Sequence, residues 1–233
     1  MNSAMARQDV IAANLANVNT VGYKADRVTT EAFSEMVLRN MSTGQEIGNL
    51  SMGSRVSGTI TDFSQGALRN TGLATDMAIA GDGFFAIETA NGVRYTRNGE
   101  FSVSGDGYLV NQNNEFVLGS NGQRLLVGGD PKVSPDGRIY SAEGNLLGEV
   151  GVVTLDIETA QKVGANQWTG TVTGTRPATT KVRQGYVEAS SVNSIQEMVE
   201  MISNMRSFES SQRMISMIDG TLDRSVNSLG SLQ

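Results

Sequence analysis

The stretch from Ser191 to Leu232 limits what this chain can fold into more than any other, because it reads as one long uninterrupted helix. Apolar residues fall at Ile195, Met198, Val199, Ile202, Met205 and Phe208, then at Ile215, Ile218, Leu222, Leu229 and Leu232, in spacings of three and four that draw a stripe. At ~1.5 Å per residue such a helix runs on the order of 55 to 60 Å, longer than a domain of this size needs to cover its own core. From Phe208 onward, Phe208, Ile215, Leu222 and Leu229 recur at every seventh position with Ile218 and Leu232 between them, which is coiled-coil spacing. Asn204, Ser211 and Ser225 interrupt the seam. Gly220 within it costs the helix about 1 kcal/mol against alanine, unless close packing is its purpose. The stripe needs a partner, either within the chain, as in a helical hairpin, or on neighbouring subunits.

Residues 1–22 read as a second, shorter helix with Ala4, Ile11, Leu15 and Val18 on one side, Gln8 between them and Gly22 placed to end it. Asn14, Asn17 and Asn19 lower its propensity, and a helix this short is marginal alone in water. The expectation is therefore that the C-terminal stripe orders it. The assembly surface expected from these patterns is Ile11, Leu15 and Val18 with Ile195, Val199, Ile202, Met205, Phe208, Ile215, Ile218, Leu222 and Leu229.

Residues 23–52 read as an extended connector, with a helical turn allowed over Phe33 to Leu38. Over 53–183 short alternating runs broken by glycine and asparagine predict an all-β domain, which uses many of the chain's 27 glycines as turns. The clearest local signal is Val93–Arg97, Asn98-Gly99, Glu100–Ser104, which predicts a hairpin on a type I′ turn with Val93, Tyr95, Phe101 and Val103 facing inward. Further strands are expected at Phe84–Glu88, Tyr108–Val110, Glu115–Leu118, Arg138–Ser141 and Glu149–Ile157, with Trp168 and Val172 closing the domain. Residues 184–233 lead into the long helix, which Ser190, Ser191 or Asn193 can cap. The fold class expected is mainly β with α-helical termini, the two helices forming a coiled-coil stalk around an inserted all-β domain.

Composition narrows the chemistry. Hydrophobic residues at 39% and charged residues at 18% suit a chain that buries a core. A net charge of −6 with scattered Lys and Arg offers no footprint for nucleic acid, and no apolar run is long enough for direct membrane insertion. No basic segment followed by an apolar one stands near Met1, so no cleaved secretory signal is expected. The chain has no histidine and no cysteine, which removes the commonest general base and most metal ligands. No P-loop, dinucleotide fingerprint or nucleophile elbow is present. The pairs Asp82-Gly83, Asp106-Gly107 and Asp136-Gly137 lack the alternating acids of a calcium loop and read as turns. No cofactor, metal or catalytic activity is expected, and nothing pairs two carboxylates from Asp76, Asp82, Asp106 and Asp136 for glycoside hydrolysis.

Three segments resemble the rod and hook subunits, the axial proteins of the bacterial flagellum. The first is Ala13-Asn14-Leu15-Ala16-Asn17-Val18-Asn19-Thr20-Val21-Gly22-Tyr23-Lys24. The second is Asp76-Met77-Ala78-Ile79-Ala80-Gly81-Asp82-Gly83-Phe84-Phe85, followed by Tyr95-Thr96-Arg97-Asn98-Gly99. The third is Gln184-Gly185-Tyr186-Val187-Glu188-Ala189-Ser190-Ser191-Val192-Asn193. The resemblance implies a structural subunit of the periplasmic basal-body rod, exported unfolded through the flagellar type III apparatus without a cleaved signal. It implies helical polymerisation with copies of itself and other rod and hook proteins, the terminal helices lining the export channel and the β domain outside. Chain length and Arg206-Ser207-Phe208-Glu209 resemble the proximal rod protein more than the distal rod or hook protein. In that family the pattern begins a further helical turn or more before the position of Met1. The competing reading is a ligand-binding β module for cell-wall glycan on an oligomerising helical stalk, with Tyr108, Tyr140 or Trp168 exposed in a groove.

Overall fold

The computed structural model describes residues 2–32, 36–39, 46–50 and 54–230. The chain divides into two compact units: Met1–Ala16, Asp26–Thr61 and Asn193–Gln233 form a helical unit, and Asn17–Ala25 with Asp62–Val192 form a β unit.

In the helical unit, helix α1 spans Asn2–Ala16 and helix α2 spans Ser194–Gly230. Asn193 supplies the cap of α2: its Oδ1 accepts from the backbone N–H of Ile195 at 3.1 Å and of Gln196 at 3.4 Å. The two helices pack together. Their seam on α2 consists of the half-buried Glu197, Met201, Asn204 and Phe208, at spacings of four, three and four. Asn204, which as an interruption of the stripe reads as a defect, is the polar register point of this seam. Its Nδ2 donates to the Ala4 carbonyl at 2.8 Å and to Gln8 Oε1 at 2.9 Å.

The single stripe expected from the sequence is two faces. Ile195, Met198, Val199, Ile202 and Met205 are exposed and centre on a different side of α2 than the seam, with Met205 at the edge nearest it. Ile215 and Leu222 continue the side of Asn204 and Phe208, and are exposed because the pairing with α1 covers only the first part of α2. Helical geometry explains the change of side: residues advance by about 100° each, and Phe208, Ile215 and Leu222 stand on a different seven-residue frame from Ile195 and Ile202, so Phe208 lies about 120° around the axis from Ile202. Of the expected stripe, Phe208 enters the seam and Met205 lines the groove beside it, so α1 rests on part of the stripe together with Glu197, Met201 and Asn204.

The expected connector over 23–52 is also corrected. Asp26–Ala32 pairs antiparallel with Ser54–Thr61, with a bulge between Thr29 and Thr30, and Met36–Arg39 pairs with Glu46–Leu50. The residues 36–38 of the allowed helical turn are thus strand, and its first three residues lie outside the described ones. The sequence Asp-Arg-Val-Thr-Thr-Glu-Ala hides its strand because polar side chains hold it. Thr61 Oγ1 donates to Asp26 Oδ1 at 2.6 Å, and Thr29 Oγ1 to the Gly58 carbonyl at 3.0 Å. Asn14 fastens α1 to the start of this pair by exchanging both amide hydrogen bonds with the Asp26 backbone, at 2.9 and 3.0 Å.

The β unit is built on a nine-stranded sheet whose hub is Phe84–Thr89. This strand pairs with Gly92–Thr96 along one edge, and along the other with Val152–Leu155 and Phe116–Val117. Phe85, Ile87, Leu109, Val117, Ile139 and Val150 are among its sealed core. A second cluster sets Trp168 against Phe84 and Phe63, with ring centroids 5.4 and 6.1 Å apart. Trp168 thus closes this part of the core, whereas Val172 is exposed.

The expected Asn98-Gly99 hairpin does not form. Gly92–Thr96 pairs with Phe84–Thr89 and Gln167–Thr169, while Phe101–Val103 pairs with Leu109–Asn111. Asn98 instead makes a side-chain turn, its Oδ1 accepting from the Glu100 N–H at 2.9 Å. Gly99 is required for close approach rather than for a type I′ turn. A Cβ there would stand 1.5 Å from the Met77 carbonyl oxygen, and the Gly99 carbonyl accepts from the Met77 N–H at 2.9 Å. In consequence Val93 faces solvent, and Phe101 alone of the four expected inward residues is fully buried.

Candidate functional site

Within the β unit the three sequence motifs meet at one buried carboxylate. Glu188 lies on the strand Tyr186–Glu188, which pairs with Leu68–Asn70. Its Oε1 accepts from Lys24 Nζ at 2.6 Å and from the Gly66 N–H at 2.9 Å, and its Oε2 accepts from Arg97 Nη1 at 3.1 Å. Lys24 and Glu188 are 0% and 1% exposed. Burial pushes the Lys24 amine and the Arg97 guanidinium below their ordinary pKa ranges, and the neighbouring carboxylate opposes that shift in both. Two cations share one anion, so the node depends on Glu188 more than on either partner.

Backbone contacts tighten the same junction. The Gly22 N–H donates to the Glu188 carbonyl at 2.8 Å, and with φ at +69° a Cβ on Gly22 would lie 2.4 Å from the Asn98 nitrogen. The Gly185 N–H donates to the Asp76 carbonyl at 2.8 Å. Tyr23 is buried with Ala25, Val192 and the flank of Val18, and the Lys162 ammonium stands 3.9 Å from its ring centroid. Val187 is buried beside the half-buried Tyr186. Asn17 accepts from the Thr20 N–H at 3.1 Å, while Asn19 is exposed. Gly81 donates its N–H to Gln65 Oε1 at 3.1 Å, a Cβ on Gly83 would strike Val152, and Tyr95 packs against the cluster of Phe84, over whose ring Arg97 lies. The motif residues of the β unit therefore close its fold, with no reaction centre among them. Lys24 and Glu188 carry that closure from inside the first and third motifs. A buried ion pair leaves no periodic signal in a sequence.

The expected assembly residues divide differently. Ile11 is buried and Leu15 half-buried within the helical unit, while Val18 lies beyond the end of α1 and is half-buried in the β unit. Ile11 is thus used inside the chain, while Leu15 and Val18 keep part of their surface exposed. Ile195, Val199, Ile202, Met205, Ile215, Ile218 and Leu222 are exposed, Phe208 is half-buried, and the side chain of Leu229 lies outside the described residues. No helix among the described residues is long and apolar enough to cross a membrane, and no acidic cluster among them could hold a metal.

A β unit closed by motifs from both ends of the chain, with a long helix carrying exposed apolar faces, defines a structural subunit. Three family profiles match it: "Flagella basal body rod protein" over residues 1–24, "Flagellar hook protein FlgE/F/G D1 domain" over 78–174, and "Flagellar basal body rod FlgEFG protein C-terminal" over 183–229. The chain is 35% identical to the flagellar basal-body rod protein FlgG of Bacillus subtilis, across 97% of this chain and 95% of that one. It is 33% identical to FlgF of Caulobacter vibrioides, across 89% and 85%, and 32% identical to FlgF of Mesorhizobium japonicum, across 97% and 92%. The chain belongs to the flagellar basal-body rod protein family, and is a structural component of the flagellar basal body rather than an enzyme.

Proposed function

We propose that the chain is a rod subunit that polymerises helically through α2, forming part of the axial drive shaft around an export channel. The observation that carries this reading is the pair of exposed faces on α2, Ile195, Val199 and Ile202 on one side and Ile215 and Leu222 on another. Apolar residues held in water at helical spacing are stabilised when a partner covers them, and two faces on different sides of one helix call for two different neighbours. The partners are copies of the chain and other rod and hook proteins. The subunit reaches the periplasmic rod through the flagellar type III apparatus. Chain length and Arg206–Glu209 favour a proximal place in the rod. The glycan-binding alternative loses one of its three aromatics, because Trp168 is sealed in the core, while Tyr108, edge-on to Phe116 at 5.6 Å, and Tyr140 are half-buried.

The test is a double substitution, Val199→Glu with Ile202→Glu, in the full chain. The expected outcome is loss of concentration-dependent association in sedimentation velocity, with the thermal unfolding of the β unit unchanged. Undiminished association of that variant would refute the proposal.

A further inference from the structure

The methionines are distributed between the two units in an extreme way. Of the eleven in the chain, Met77 alone belongs to the β unit, where it is 0% exposed. In the helical unit, by contrast, Met198, Met205, Met214 and Met217 on α2 are 48–70% exposed, and Met5 on α1 is 56% exposed. Met198 and Met205 belong to the same side of α2 as Ile195, Val199 and Ile202. Met5 and Met205 also line an apolar groove between α1 and α2, together with Ala4 and Phe208.

We propose that the α2 methionines are sites of reversible oxidation by peroxide, and that their oxidation blocks self-association of the subunit while leaving the β unit intact. The association half of this proposal rests on the function proposed above. The thioether sulfur attacks one oxygen of hydrogen peroxide, the O–O bond breaks, and the products are methionine sulfoxide and water; sulfur is oxidised by two electrons and peroxide is reduced by two. A flexible apolar side chain becomes a polar one that accepts hydrogen bonds. On a face that must be desolvated against a neighbour, each sulfoxide oxygen loses water without gaining a partner. Association then shields the same sulfurs, so the switch acts on the free subunit. Methionine sulfoxide reductases reverse the change.

The experiment treats the full chain with hydrogen peroxide, maps sulfoxides by peptide mass spectrometry and follows association by sedimentation velocity. The expected result is sulfoxide at Met198, Met205, Met214 and Met217 at least about tenfold faster than at Met77. Treated chain sediments as monomer, reductase treatment restores association, and a Met198→Leu, Met205→Leu, Met214→Leu, Met217→Leu variant associates with or without peroxide. Oxidised chain that associates as well as untreated chain overturns the switch, and Met77 reacting alongside the others overturns the selectivity. Untreated chain that fails to associate at any concentration refutes the assembly reading and the switch together, whereas the sulfoxide map stands or falls by itself.

Discussion

Lys24 Nζ stands 2.6 Å from Glu188 Oε1, joining two side chains 164 positions apart in a site sealed from water. Arg97 completes the node from the middle of the sequence. Replacing Glu188 with Gln removes the anion that two buried cations share, and the expected cost is about 3–5 kcal/mol of β-unit stability. The exposed pair of Arg124 and Glu88, at 2.6 Å, is the control: solvent screens it, and Glu88→Gln should leave stability nearly unchanged. Urea unfolding of both variants measures the difference, and equal losses would contradict the account.

Gly99 admits no side chain. The Cβ of Gly99→Ala would meet the Met77 carbonyl oxygen and carbon at 1.5 and 2.7 Å, both backbone atoms. The variant should lose upward of about 3 kcal/mol or fail to fold, because backbone cannot repack as a side chain can. Thermal unfolding of the full chain checks this.

Gly220 is the opposite case. Nothing lies within 4 Å of the position its Cβ would take on α2, so Gly220→Ala should stabilise the helix in the dilute chain by about 1 kcal/mol. Far-UV circular dichroism reads that gain. If the same variant also associates less, Gly220 marks a place where a neighbouring backbone approaches closely.

Glu197 makes the helical unit sensitive to acid. Its carboxyl pKa is raised above the ordinary 4.5 chiefly by burial, with Glu200 adding to the shift while Asn14 and Arg27 oppose it. Its Oε2 is buried without a hydrogen-bond partner among the described residues. Between 4.5 and the raised value the folded chain holds more proton than the unfolded one, so stability falls as pH rises through that window. Mild acidification from neutral should therefore raise the melting temperature of the α1–α2 pair. Glu197→Gln should remove that dependence, and an unchanged pH profile in the variant would show that another group titrates.

Much of the architecture was legible in the sequence because it is periodic. The three-and-four spacing located α2, and the short alternating runs located the hub strand Phe84–Thr89 within a residue of its end. What was illegible depends on partners distant in sequence. Asn98-Gly99 has the local chemistry of a hairpin turn, but Met77 takes the Gly99 carbonyl and fixes the chain in another path. The strand Asp26–Ala32 carries too little apolar alternation to announce itself, and its hydrogen bonds to Asn14, Gly58 and Thr61 hold it. Glu188 could be read from its motif only as a charged residue in a short strand, since nothing local says that Lys24 and Arg97 converge on it.

Hydrogen exchange on the full chain, dilute and then associated, tests most directly whether the exposed faces of α2 are where subunits meet. The account predicts fast exchange over residues 209–227 in the dilute chain, strong protection of the same amides on association, and unchanged protection at Phe85, Ile87 and Val187. Full protection of 209–227 already in the dilute monomer, or association that leaves those amides as fast as before, would contradict it.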